Sequence, residues 1–432
     1  MSDRAITSPQ TACLGAAWAG SSVNCVPFRY RAVLPVADGW LVSYYDAAGA
    51  VTLCHVYESF RVGPRWCTPS PVKPHDAHAC ISLGRGPEGD VHAVFGAHAS
   101  TAWHVRVTSD LSACLQPPRP LTYDKASRLT YPQLLSGNDA PGLAMLYREG
   151  GAWRGEIRVA RWRDDRDAFV PDDAPLLSGM AGRLGAGPYV NRPVRLPDGR
   201  VALFVVWRLP PDLTSAGDVA NVGIDLVLAD ADLASLTTAD GVALRRPVTP
   251  FHGARAWAVP PGMNLINQGS AACAPDGAPM ALTYWDDARG IPQYQLLWRA
   301  GGLWHATPIS DFRTHFALAG RGTLPLPHSR PEMLVRKDGA ILCIFRSAEY
   351  GNRLMLSVHA PPYRAPCGAP RVLVDEDLGQ YEPVVDPDTF HRDGSVVLFV
   401  QACHQEQGDG AATARSAPAR LLRWPAADVS TW

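Results

Sequence analysis

The amino-acid sequence predicts an all-β fold, a seven-bladed β-propeller spanning residues 1–432 as one domain, on three observations. The 38 glycines and 39 prolines are spread over the whole length among 13 tryptophans and 13 tyrosines, while helical periodicity over ten or more residues is hard to find. That is the composition of short strands joined by many turns. A short apolar run, a tight turn ending in Gly and a second alternating run recur seven times, and no Pro/Ser/Gly-rich linker divides the chain in two.

The seven units are PVADGWLVSYY at Gly39, GPEGDVHAVF at Gly89, GNDAPGLAMLY at Gly142, LPDGRVALFVVW at Gly199, APDGAPMALTYW at Gly277, RKDGAILCIF at Gly339 and HRDGSVVLFV at Gly394. Gly supplies the positive φ that a tight strand reversal requires, so each reads as a hairpin. A spacing of about fifty to eighty residues suits a four-stranded sheet with its loops and exceeds a leucine-rich or helical repeat. Four-stranded blades packed face to face around an axis satisfy this pattern. A pair of β-sandwiches is the alternative. Two irregular stretches between Gly199 and Gly277, LPPDLTSAGDVANVG and FHGARAWAVPPGMNLINQ, are expected to shape a binding face.

Composition also restricts function. A net charge of −1 leaves no basic stripe for a phosphate backbone, so nucleic acid is excluded as the expected partner. The ten cysteines contain no CxxC pair, which argues against a zinc ribbon or a thioredoxin-type site. No run of eighteen apolar residues offers a membrane span, and the start MSDRAITSPQTACLGAAWAGSS has Arg4 offset by Asp3 ahead of a weakly apolar stretch, unlike a signal peptide. A cytoplasmic monomer is the default expectation, with export by another route left open.

The candidate chemistry lies at strand ends. His78 (DAHACISLG) and His98 (VHAVFGAHAS) are twenty positions apart, followed by Tyr131 in TYPQLL, Arg148 ending LAMLYREGG and Arg208 ending FVVWR. Loops from several blades converge at a propeller's mouth, so these groups can meet. Two histidines, a tyrosine and two arginines do not supply the paired carboxylates of glycoside hydrolysis. They suit β-elimination on a uronic acid, in which the proton on C5 is removed while the oxygen on C4 departs. Arg holds the developing dianion through a bidentate fork, neutral His is a base near pH 7, and Tyr can protonate the leaving oxygen or take part in proton removal. His92 and His104 on neighbouring strand positions compete with His98, because a one-residue register change would exchange the facing side chains. Tyr189, Gln268, Trp285 and Arg330 are further candidates for the mouth, the two aromatics as stacking surfaces for a sugar.

The order DAHACISLG, VHAVFGAHAS, TYPQ, YREGG resembles the BNR-type seven-bladed propeller polysaccharide lyases, which include ulvan lyases and the L-rhamnose-α-1,4-D-glucuronate lyases. The stretches NLINQGSAACAPDGAPMALTYWDDARGIPQYQLLW and FALAGRGTLPLPHSRPEMLVRKDGAILCIFRS are most similar to the second group. The resemblance covers roughly residues 30 to 350. It implies His98 as the proton-abstracting base, His78 as a substrate-binding or catalytic His, Tyr131 as the catalytic Tyr, Arg148 as the carboxylate neutraliser and Arg208 as a second substrate Arg. The expected activity is a lyase cleaving at C4 of a uronate, releasing L-rhamnose from rhamnosyl-α-1,4-glucuronate, with an anionic oligosaccharide or polysaccharide as partner. No cofactor is required. The resemblance allows calcium near the channel, and Asp286, Asp287 and Glu332 are oxygen donors to weigh without a readable ligand loop. A non-catalytic glycan-binding propeller and a rhamnosidase- or sialidase-like hydrolase are the alternatives. The Ser-x-Asp-x-Gly-x-x-Trp box of sialidase repeats is absent.

Overall fold

The computed structural model describes residues 6–108, 115–121, 128–136, 142–180, 185–213, 219–364, 366, 368–410 and 412–432. Cys114, Cys367, most of the turn before Gly142, residues 214–218 and part of the segment between His98 and Tyr131 lie outside them.

Alternation of apolar side chains along each strand gives two apolar faces, and the sheets bury both. In Val201–Leu209, Leu203, Val205 and Trp207 enter one core cluster while Ala202, Phe204 and Val206 enter the next. Burying a side chain of this size contributes about 1.5–3 kcal/mol. A sheet with two apolar faces is stable only between two neighbours, and the described strands form seven antiparallel sheets that supply them. Innermost strands touch from sheet to sheet: Val33–Val36 meets Ser82–Arg85, which meets Leu129–Ser136, and Ser270–Cys273 meets Glu332–Val335. The ring closes where Leu334, Leu342 and Leu356 share one apolar cluster with Val384, Leu398 and Leu421, and with Trp40 and Val42 beyond.

The expected seven-bladed propeller of like four-stranded hairpin units needs correction. Six of the sheets draw on one stretch of chain each, save that His98–Ser100, within the stretch of one sheet, pairs into the next. The remaining one is no sequence unit, because Gln10–Trp18 from the start of the chain pairs with Ser416–Trp424 beside Val396–Val400 and Val384–Val385 from its end. Two of the six exceed four strands: the sheet around Leu143–Glu149 has six and the one around Val201–Leu209 has seven. The Gly394 unit is also not a hairpin turn. A short helix, Pro387–Asp393, stands between its strands, capped at its start by Asp386 and ended by Gly394 at φ 81°. A helix C-terminus and a tight strand reversal both demand positive φ, so a Gly signal cannot tell them apart.

The eight described cysteines are free, and five of them are buried. No helix among the described residues is long and apolar enough to cross a membrane.

Candidate functional site

Asp76 caps a single 3-10 turn, Ala77–Ala79, by accepting from the backbone N–H of His78. The same carboxylate therefore lies beside the His78 ring. His98 reaches this place by a different device. The short strand His98–Ser100 leaves the second sheet and pairs with Leu129–Ser136 of the third, where Ala99 N–H donates to Thr130 Oγ1 at 2.8 Å. Pairing of Leu129–Ser136 with Leu143–Glu149 slips between Thr130 and Gln133, and Tyr131 adopts φ 55° in the slip. A left-handed aromatic residue costs about 1–3 kcal/mol and is kept where surrounding structure imposes it. The bulge turns the Tyr131 ring towards Arg148, which stands opposite Thr130.

His78, His98, Tyr131 and Arg148 line one cavity of about 230 Å³ with Phe28, Tyr189, Arg208, Asn267 and Arg330. A strap at 318–326 covers part of it. Thr323 fixes the strap through donations from its N–H and Oγ1 to Asp409 Oδ1, at 2.9 and 3.0 Å. Gly322 is required there: at φ 71°, any Cβ would collide with the Asp409 carboxylate.

The His78 and His98 rings stack 3.9 Å apart at 15°. Asp76 holds both, with Oδ1 2.8 Å from His78 Nδ1 and Oδ2 2.6 Å from His98 Nδ1. Phe28 stacks on His78 and meets Tyr131 edge-on. Across the cavity the Arg148 guanidinium lies over the rings of Tyr131 and Tyr189, at 4.9 and 4.8 Å, and Arg208 covers Tyr189 at 4.3 Å. The three cations differ in their partners. Arg330 is neutralised by Glu382, with Nη1 2.6 Å from Oε1, whereas among the described residues Arg208 donates to the amide oxygens of Asn221 and Asn267, each at 2.8 Å. Arg148 is buried, and its Nε and Nη1 have no hydrogen-bond acceptor among the described residues.

Titration follows this geometry. Burial works to lower the His78 pKa, but Tyr131, Asp409 and Asp76 outweigh it and raise it well above the ordinary imidazole value. Burial would raise Asp76, yet hydrogen bonds from His78 and His98 hold it far below the usual carboxylate range. Tyr189 is lowered against its burial by Arg208 and Arg148. Arg148 is raised despite burial by Tyr189 and Tyr131. One wall of the cavity is thus an imidazole pair on a carboxylate, and facing it is Arg148, for which no carboxylate partner stands among the described residues.

Of the nine candidates from sequence, His78, His98, Tyr131, Arg148, Tyr189, Arg208 and Arg330 line this cavity. Gln268 is buried behind it, lining a smaller void with Tyr131, Arg148 and Tyr189. Trp285 requires correction. It packs in an apolar cluster with Phe204 and Leu297, because the alternation of Pro279–Asp286 directs it into the core. The competing histidines lie elsewhere: His92 Nδ1 and His104 Nε2 are 3.0 Å apart in a buried network with Asp90. Sequence reasoning missed Asp76, Asp409, Phe28, Asn267 and Thr323. The Asp-x-His spacing before His78 could have found the first, whereas the others approach from distant loops without a local signal.

Among the described residues, the donor sets do not fit calcium. Glu332 pairs with Arg192, Asp286 accepts from Asn264 and Asp287 pairs with Arg289, so these three form no common cage. Asp76, His78, His98 and Asp409 bring ligand atoms within 4.8 Å of one another. Two are imidazole nitrogens, however, and calcium takes six to eight oxygens. The 2.6 and 2.8 Å contacts are hydrogen bonds, whereas two ligands about 2.1 Å from one tetrahedral ion stand roughly 3.4 Å apart.

Two solved structures share the fold at low sequence identity. The polysaccharide lyase Uly1 superposes with a TM-score of 0.68 at 10% identity, over 98% of this chain and 100% of that one. A PL25 ulvan lyase bound to -[GlcA(1-4)Rha3S]- gives 0.69 at 12%, over 97% and 99%. No curated protein sequence matches the chain. The model of the BNR repeat-containing family matches residues 41–312, well over half of the length. The chain therefore belongs to the BNR repeat-containing family, on an all-β propeller that polysaccharide lyases share.

Proposed function

We propose that the cavity receives the carboxylate of a 4-linked uronic acid and cleaves the bond at C4 by β-elimination. The observation that carries this reading is Arg148, a buried guanidinium whose Nε and Nη1 have no acceptor among the described residues. A buried guanidinium with two donor atoms unmet among the described residues is costly, and a carboxylate is a group whose geometry satisfies them.

His98 accepts the C5 proton, the electron pair forms the C4–C5 double bond, and the C4–oxygen bond breaks. Tyr131 gives its proton to the departing oxygen and is reprotonated by way of solvent from the His98 imidazolium. A positioned base contributes about 10²–10⁴-fold, so the greater part of the acceleration rests on holding the dianion, through Arg148 with Arg208 beside it. Among the described residues lining the cavity there is no Asp or Glu, which disfavours hydrolysis by paired carboxylates. The sequence resemblance supports L-rhamnose on C4 of glucuronate as the leaving sugar. The glucuronate- and rhamnose-containing glycan bound by the ulvan lyase of like fold agrees with it.

Incubation with rhamnose-capped glucuronans and with ulvan tests this. The expected product is a 4,5-unsaturated uronate detected by its ultraviolet absorbance, lost in Arg148→Ala and His98→Ala. A saturated product, or no product from either glycan, would overturn the assignment.

A further inference from the structure

The imidazole pair shares one carboxylate, and the two carboxylates near it are not equivalent. Asp76 contacts both Nδ1 atoms at hydrogen-bonding distance, whereas the Asp409 oxygens lie 3.5 Å from His78 and 3.7 Å from His98. The longer separations are at or beyond the limit of a hydrogen bond. Asp409 instead spends its short contacts on Thr323 of the strap. Asp76 is itself fixed, because its Oδ1 also accepts from the backbone N–H of His78.

We propose that Asp76 is the positioning residue of the site: by accepting from Nδ1 of both histidines it sets their orientation and the tautomer of His98. A neutral imidazole carries one ring proton, and a carboxylate at Nδ1 keeps it there. Nε2 of His98 is then left as the lone-pair nitrogen, on the far side of the ring from Asp76. His78, on the same carboxylate, holds the stacked position against which His98 is fixed. The inference deepens the lyase reading and rests on it only for the kinetic outcome. The charged or titratable groups facing the pair are Asp76, Asp409 and Tyr131, with Arg148 across the Tyr131 ring.

Asp76→Asn preserves size and removes the charge; its amide oxygen keeps the Oδ1 place that accepts from the His78 backbone N–H, so its N–H₂ takes the Oδ2 place and faces His98 Nδ1, favouring the opposite tautomer there. Loss of an orienting carboxylate of this kind costs up to about 10⁴ in kcat in the serine-protease triad. We expect a loss of about 10²–10⁴-fold in kcat, with KM changed less than about threefold and the acid limb of the pH–rate profile displaced. Asp409→Asn should cost less than about tenfold. Imidazole ¹⁵N shifts provide a readout independent of turnover. Wild-type His98 should be protonated at Nδ1 when neutral, and Asp76→Asn should move that proton to Nε2. Asp76→Asn with near-wild-type kcat, or wild-type His98 protonated at Nε2, would overturn the proposal. If no glycan is turned over, or if the variant fails to fold, the wild-type ¹⁵N shifts still decide it, separately from the lyase reading.

Discussion

The protein contains two histidine pairs built from the same materials and put to opposite ends. Each begins with an Asp-x-His step, Asp76 to His78 and Asp90 to His92, and each adds a second imidazole, His98 or His104. In the first pair one carboxylate serves two rings with no arginine among its described hydrogen-bonded partners, and the rings border a cavity. In the second, Asp90 is shared between His92 and Arg106, and the described hydrogen-bond partner of His104 is the His92 nitrogen. Burial then pushes His104 down to about 3, aided by His92. Partner and access, more than residue type, separate the pair that borders the cavity from the pair that is buried.

The largest expected difference between them is catalytic. His98→Ala should lower turnover by at least about 10²-fold, the share of a positioned base. His92→Ala should leave turnover within a few-fold and destabilise the fold by about 1–3 kcal/mol, because Asp90 and His104 lose a buried partner. Kinetics and urea denaturation on the two variants measure this contrast.

A second difference is the sign of the pH dependence of stability. The raised pKa of His78 gives a contribution that is complete below the unfolded imidazole value and fades as pH rises through the folded one. The lowered pKa of His104 acts in the other direction. Its contribution is present above about 6.5 and is lost as pH falls towards the folded value of about 3. Urea denaturation across this range should show His78→Gln losing stability chiefly at acid and neutral pH, and His104→Phe losing the decline on the acid side of neutrality.

The smallest expected effect concerns the aromatic that packs outside the site. Trp285→Phe should leave KM within about twofold, while costing about 1–3 kcal/mol of stability through imperfect packing in its apolar cluster. A large rise in KM would return Trp285 to the sugar-binding surface.

Much of the fold was legible because an Asp-Gly turn and an alternating strand are local signals. The turns at Gly39, Gly89, Gly199, Gly277 and Gly339 each join an innermost strand to its neighbour. Closure of the ring was not legible. Pairing of Gln10–Trp18 with Ser416–Trp424 joins the two ends of the sequence, and no local pattern records it. The helix before Gly394 was hidden for the reason already given, a positive φ shared by two structures. At the site, residues at strand ends were readable by chemical type, from His78 to Arg208. The bulge that turns Tyr131, the strand excursion that carries His98 and the approach of Asp409 from a distant loop are tertiary, so the carboxylate beneath the imidazoles was missed. Trp285 was misplaced because an aromatic at a strand end reads alike whether it faces a core or a cavity.

In the proposed reaction the His98 pair, and not the His92 pair, removes a proton from a uronate. Wild type, His92→Ala and His98→Ala should be incubated with rhamnose-capped glucuronan while the absorbance of the 4,5-unsaturated uronate is followed. The first two should form it at rates within a few-fold of each other, and His98→Ala should form almost none. A His98→Ala protein as active as wild type would contradict the account, as would a wild-type reaction whose product is saturated.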